Sequence, residues 1–107
     1  MKRLVFTHQA ETDLEAIGDH IALDSPLRAV TFIRELRDDC MGLQTMPTRY
    51  PLLPRHESSG IRRRVHGSYL IFYRISTDAV EILHILHGRD GQRGHFVSGE
   101  LTAPALP

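Results

Sequence analysis

The sequence has 107 residues, 41% of them apolar, and its 13 basic and 13 acidic side chains balance to a formal charge of zero. This length and apolar content fit one domain with one modest core, and we expect no second domain. No window approaches the roughly 20 apolar residues of a membrane span, and the apolar start breaks off too soon for a signal peptide. We therefore predict a cytoplasmic protein without membrane association, whose single cysteine, Cys40, can form neither an internal disulfide nor a zinc cluster.

The first half of the chain predicts one strand and two helices. Residues 2–6 are typical of a short strand, and Thr7 is a suitable N-cap for the helix that follows. Ser25 and Pro26 likewise suit the N-cap and first turn of a second helix. Apolar residues recur at intervals of three and four in both segments: Ala10, Leu14, Ile17 and Ile21, then Ala29, Ile33, Leu36, Cys40 and Leu43. We predict an antiparallel helical hairpin, whose first helix carries on its other face Glu11, Asp13, Glu15 and Asp19.

The second half predicts a loop followed by three strands. Three prolines between residues 46 and 60 are incompatible with a regular ladder of hydrogen bonds. Segments 61–65, 69–75 and 80–87 have the composition of strands and are separated by short turns, which predicts an antiparallel meander. Segment 80–87 is largely apolar on both faces and should be a central strand.

Together these elements predict an α+β fold. The helical hairpin should cover one face of the sheet, and the N-terminal strand should pair with an edge of the meander. We predict a single domain over residues 1–95 and a poorly ordered tail over residues 96–107.

Arginines are concentrated in the second half. Residues 1–45 hold five lysines and arginines against eight acidic residues, whereas residues 46–107 hold eight arginines against five acidic residues. In the predicted strand that contains Arg62-Arg63-Arg64, alternation should send Arg62 and Arg64 to one face and Arg63 to the other. This run either protects an edge strand against aggregation or forms a surface for an anion or a partner.

The end of the last strand is a second candidate site, His87-Gly88-Arg89-Asp90. Arg89 and Asp90 either pair with each other or meet a partner, and His87 is either a core histidine or a site residue. The seven histidines show no ligand spacing, since His84 and His87 should point to opposite faces of a strand, so we expect no metal and no cofactor. Metal-free RNA cleavage needs a base, an acid and cations, a set that His95 and the nearby arginines could supply.

An ordered set of residues in this chain is similar to a known family. The set covers about residues 3–93 and comprises Ala10, Asp13, Leu14 and Ile17, then Ala29, Phe32, Leu36, Leu43 and Pro47, then Arg62 and Arg63, the run Tyr69–Arg74, and Ile82 with the run Ile85–Asp90. It resembles the RelE/ParE superfamily of bacterial type II toxins, and the ParE branch most closely. The resemblance implies a helical hairpin packed on a small antiparallel sheet.

The resemblance also implies partners. A cognate antitoxin, ParD-like or similar, would neutralise this growth-inhibiting toxin in a toxin–antitoxin complex, and operator DNA would be contacted only indirectly, through the antitoxin. RelE-like members cut messenger RNA in the ribosome, whereas ParE-like members inhibit DNA gyrase without being enzymes. The resemblance therefore leaves two targets to distinguish.

The residues at the positions that the ribonuclease branch uses favour DNA gyrase over messenger RNA as the target. Arg63 and Arg89 match basic positions of the ribonuclease branch, and His95 falls where that branch has its acid, but Leu70 stands where it often has an arginine. Losing a fixed charge at a developing oxyanion lowers the rate by about 10²–10³. We therefore expect no catalytic residues. The alternatives are a ribosome-dependent mRNA endonuclease that uses Arg63, Arg89 and His95, and an inactive homologue that only binds antitoxin.

The resemblance and the charge pattern suggest two contact surfaces. For target binding, the expected residues are Arg63, His87, Arg89 and Asp90. For antitoxin binding, they are Arg62, Arg64 and Arg74. An antitoxin that meets this arginine-rich half should be acidic near its C-terminus.

Overall fold

A computed structural model describes residues 1–88. Its elements, in chain order, are β1 (Arg3–Phe6), α1 (His8–Ala22), α2 (Pro26–Gly42), β2 (Ile61–His66), β3 (Tyr69–Ile75) and β4 (Ala79–His87). Two short 3-10 turns, Pro47–Arg49 and Glu57–Ser59, interrupt the connection between α2 and β2. The predicted α+β fold is confirmed, while the predicted tail lies outside the described residues.

Both helices begin at the residues that the sequence predicts. The Thr7 hydroxyl accepts a hydrogen bond from the Ala10 amide at 3.1 Å. The Ser25 hydroxyl accepts one from the Arg28 amide at 3.2 Å, and Pro26 occupies the first helical position. Each cap satisfies an amide that has no partner within its helix, and this local chemistry is why the starts could be predicted.

The four strands form one sheet in the order β1-β4-β3-β2. Strands β2, β3 and β4 are the predicted antiparallel meander, and β1 pairs with β4 in parallel. The predicted central position of β4 is therefore confirmed. The β2–β3 turn has two residues, and Gly67 adopts a φ of 59° there, a conformation that favours glycine.

The main core lies between the helical hairpin and one face of the sheet. The hairpin contributes Ala10, Leu14, Ile17, Leu36, Cys40 and Leu43, and the sheet contributes Ile71, Tyr73, Val80, Ile82 and Ile85. Cys40 is a core residue, as predicted, and burial raises the pKa of its thiol to about 12. That thiol therefore remains protonated at neutral pH and is a poor nucleophile.

A second apolar cluster lies on the opposite face of the sheet and comprises Leu53, Ile61, Leu70, Phe72 and Leu83, with Leu86 packed against it. Leu53 reaches this cluster because two backbone hydrogen bonds hold its segment beside β2. The Leu53 amide donates to the Ile61 carbonyl at 2.7 Å, and the Arg63 amide donates to the Pro51 carbonyl at 3.2 Å. The predicted loop thus makes a short contact with the edge of β2. Within residues 1–88, no helix combines the length and apolar character needed to cross a bilayer.

Candidate functional site

Two of the three consecutive arginines face the helical hairpin. The Arg62 guanidinium donates to the carbonyl of Tyr50 at 2.7 Å and to that of Thr48 at 3.4 Å. The Arg64 guanidinium donates to the Asp39 carbonyl at 3.0 Å, lies 3.3 Å from the Asp39 carboxylate and stacks over the Tyr50 ring at 4.9 Å. Arg62 and Arg64 therefore fasten β2 to the α2–β2 connection and to the end of α2. Their predicted contact with an antitoxin remains a prediction.

A charged network extends this attachment along α2. His66 Nδ1 lies 2.5 Å from the Asp39 carboxylate, and His66 Nε2 lies 3.6 Å from the Glu35 carboxylate. Arg28 pairs with Glu35 at 2.9 Å, and this hydrogen bond holds the pKa of the Glu35 carboxyl below its usual value. On the hairpin side of β2, the charge of Arg64 is thus compensated by Asp39, whereas Arg62 bonds to backbone carbonyls.

Arg63 projects from the opposite face of the sheet. Within residues 1–88, no hydrogen bond or ion pair engages its half-buried side chain, although Arg74 on the same face lies 3.9 Å from Glu81. Among the described residues, Arg63 is therefore the arginine of the run whose guanidinium forms no hydrogen bond within the chain and remains available to a partner. This arrangement agrees with the alternation that the sequence predicts.

The end of β4 is held against the β2–β3 turn. The Gly88 amide donates to the Ser68 carbonyl at 2.6 Å, and a Cβ at Gly88 would lie only 3.2 Å from that oxygen. The His87 ring packs edge-on against Tyr69 at 5.4 Å, on the hairpin side of the sheet. His87 and Arg63 consequently lie on opposite faces, so their side chains do not form one continuous surface. The other predicted site residues, Arg89, Asp90 and His95, lie outside the described residues.

Asp13 joins α1 to β4 through a largely buried carboxylate. Its Oδ2 atom accepts from His84 Nδ1 and from the Ile85 amide, both at 2.9 Å. The side chain of Asp13 is only 11% exposed, and that of His84 is only 13% exposed. The pairing of β1 with β4 ends at Phe6 and Ile82, so no β1 carbonyl is available to the Ile85 amide. The Asp13 carboxylate accepts the hydrogen bond of that amide instead.

The prediction that Asp13 lies on the face of α1 opposite the apolar residues is wrong. Asp13 lies three residues after Ala10 and four before Ile17, so helical spacing places it beside the apolar stripe. The position of this acidic residue beside the apolar stripe indicates that its carboxylate has a partner inside the fold. The sequence could not identify that partner, because Ile85 is 72 residues away along the chain.

A cleft of about 450 Å³ lies between α1, the start of β3 and the end of β4. Its walls are Asp13, Ala16, Ile17, His20, Tyr69, Ile85, Leu86 and His87. Within the described part of the chain, no group of three potential ligands is placed to hold a metal ion. The cleft borders His87, one of the predicted target-binding residues at the end of β4.

Comparison with known families identifies the chain. The family model for the ParE toxin of the parDE type II toxin–antitoxin system matches residues 4–91. The chain belongs to this ParE toxin family. The predicted RelE/ParE resemblance and its ParE branch are confirmed, and the chain is a ParE-type toxin of a type II toxin–antitoxin system. None of the curated proteins is significantly similar to this ParE-family chain.

Two solved structures share the fold of this ParE-family chain. One is from the chromosomal ParDE system of P. aeruginosa, with 24% identity, a TM-score of 0.70 and coverage of 81% of this chain and 96% of that chain. The other is from the toxin–antitoxin complex RelBE2 of Mycobacterium tuberculosis, with 23% identity, a TM-score of 0.61 and coverage of 80% and 96%. At these identities the similarity is evidence for the fold.

Proposed function

We propose that this ParE-family toxin binds DNA gyrase and inhibits it without a catalytic centre of its own, and that a cognate ParD-like antitoxin neutralises it. The observation that supports this proposal is the environment of Leu70. This residue is 3% exposed and packs in the second apolar cluster with Phe72 and Leu83. A ribonuclease of the RelE type often has an arginine at this position, where a buried aliphatic side chain cannot stabilise a phosphate.

Arg63 is the described residue that best fits a contact with the target. It lies on the face opposite the hairpin, and within residues 1–88 its guanidinium has no acidic partner. A charge-assisted hydrogen bond from a guanidinium to a carboxylate or phosphate is among the stronger polar contacts in proteins. We further propose that His87, Arg89 and Asp90 contribute a second contact at the end of β4.

The test adds the purified chain to a gyrase supercoiling reaction. We expect inhibition at micromolar concentrations, and we expect Arg63→Ala to inhibit about tenfold less well, because a hydrogen bond to a charged group contributes about 1.5–3 kcal/mol. Arg74→Ala is the matched control, since Arg74 lies on the same face but is next to Glu81. It should inhibit like the unmodified protein. A reaction that the unmodified chain leaves at full rate would contradict the proposal.

A further inference from the structure

Strand β2 forms one edge of the sheet, and the segment that precedes it covers only its first half. The Leu53 amide donates to the Ile61 carbonyl at 2.7 Å, and the Arg63 amide donates to the Pro51 carbonyl at 3.2 Å. Alternate residues of an edge strand direct their backbone groups away from the neighbouring strand, and in β2 these are the odd-numbered residues. The cover ends at Pro51, whose nitrogen carries no hydrogen to donate to the Arg63 carbonyl. The edge is therefore open from that carbonyl onward.

Val65 is the next residue of β2 whose backbone groups point away from β3. Across residues 1–88, no other segment donates a hydrogen bond to its carbonyl or accepts one from its amide. Its side chain is 60% exposed and shares with Arg63 the outer face of the sheet, which is the face opposite the helical hairpin. Unpaired backbone groups beside an exposed aliphatic side chain are a template for pairing with another chain.

Contacts on the hairpin side hold this part of β2 in place. The Arg64 guanidinium lies 3.3 Å from the Asp39 carboxylate, and His66 Nδ1 lies 2.5 Å from the same carboxylate. Strand β3 pairs with the whole of β2 on its other side. The open backbone groups are therefore ordered before any partner arrives, so binding there costs little conformational entropy.

We propose that this open edge, formed by Pro51, Arg63 and Val65, binds an extended acidic segment of the target protein as an added strand. The inference rests on the proposed function, because gyrase is the protein that would supply the segment. A residue of the segment opposite Val65 bonds to its amide and carbonyl and lies diagonal to Arg63, a separation that long side chains span. A glutamate there pairs with the Arg63 guanidinium and packs its methylene groups on Val65.

Charge and backbone chemistry decide the occupant. A second copy of the chain would bring its own unpaired Arg63 to the same edge, where the two guanidinium groups repel each other. A nucleic acid has no peptide groups to complete a strand, and binding to phosphates relies on several cations, whereas this edge contributes Arg63 alone. An acidic protein segment satisfies both the open backbone groups of Val65 and the charge of Arg63.

The experiment follows hydrogen–deuterium exchange of the full chain by mass spectrometry, alone and with purified DNA gyrase in the absence of DNA. We expect the Val65 amide to exchange at least tenfold more slowly in the complex, because the added strand gives that amide an acceptor. Amides of α2 near Val30 are the internal control, and their exchange should not change.

Two substitutions separate the side chain of Val65 from its backbone. Val65→Asp should bind gyrase about tenfold more weakly, because it places a negative charge opposite the acidic segment. Val30→Asp is the matched control, since Val30 is 57% exposed in α2, and it should bind like the unmodified chain. Val65→Pro removes the outward amide and should also bind about tenfold more weakly. Circular dichroism confirms that every variant is folded.

The outcomes separate this inference from the proposed function. Failure of the unmodified chain to bind gyrase overturns both. Binding without protection of Val65, or equal binding by Val65→Asp and Val30→Asp, overturns the added strand while gyrase stands as the target. Protection of Val65 that requires DNA, that appears with the chain alone at high concentration, or that only the antitoxin produces would assign the edge to that other occupant and overturn the inference.

Discussion

Replacing Asp13 by alanine should lower the free energy of unfolding by about 3 kcal/mol, because hydrogen bonds to charged groups contribute about 1.5–3 kcal/mol each. The Asp13 carboxylate accepts from both His84 and the Ile85 amide. Alanine would leave that amide without an acceptor beside α1, at a place that water reaches poorly. Urea unfolding followed by circular dichroism measures the change.

Two variants control this measurement. Asp19→Ala removes an exposed carboxylate from the same helix and should change the free energy of unfolding by less than about 0.5 kcal/mol. Asp13→Asn keeps an oxygen acceptor and should retain part of the lost stability. If Asp13→Ala were as stable as Asp19→Ala, the carboxylate would not be what holds α1 to the later part of β4.

Replacing Leu36 by alanine should lower the free energy of unfolding by about 3–4 kcal/mol, within the range for leucines in well-packed cores. Leu36 is fully buried in the main core, together with Cys40 of the next turn of α2 and Ile71 and Tyr73 of β3. Alanine would remove apolar contacts and leave a cavity between the hairpin and the sheet. The loss should appear as a lower urea midpoint with an unchanged slope.

Leu27→Ala is the matched control for the core substitution. It makes the same chemical change in the same helix, but Leu27 is 76% exposed. Its effect should stay within about 0.5 kcal/mol, as is usual for surface sites. Equal losses for the two variants would contradict the placement of α2 with Leu36 inward.

The fold was predictable from the sequence because its elements are determined locally. Thr7 and Ser25 set the helix starts through hydrogen bonds to amides three residues away. The three strands of the meander are consecutive and joined by short turns, so their pairing requires no long-range information. The position of β4 followed from apolar residues on both of its faces.

The site was predictable only in part, because its contacts join residues distant in sequence. The alternation of side chains along a strand predicted that Arg63 faces away from Arg62 and Arg64. It could not predict that Arg62 bonds to Tyr50 and that Arg64 pairs with Asp39. The same limit concealed the role of Asp13. It also concealed that Arg63 and His87 lie on different faces, since that depends on the register of three strands.

Loss of plasmid supercoiling in growing cells tests most directly whether this ParE-family toxin acts on gyrase. The chain is expressed without its antitoxin, and the topology of a reporter plasmid is followed on gels together with the length of a reporter message. We predict growth arrest, loss of negative supercoils and full-length message. Normal supercoiling with messages cut during translation would contradict the account and favour the endonuclease that uses Arg63, Arg89 and His95. Normal growth would contradict it in favour of an inactive, antitoxin-binding homologue.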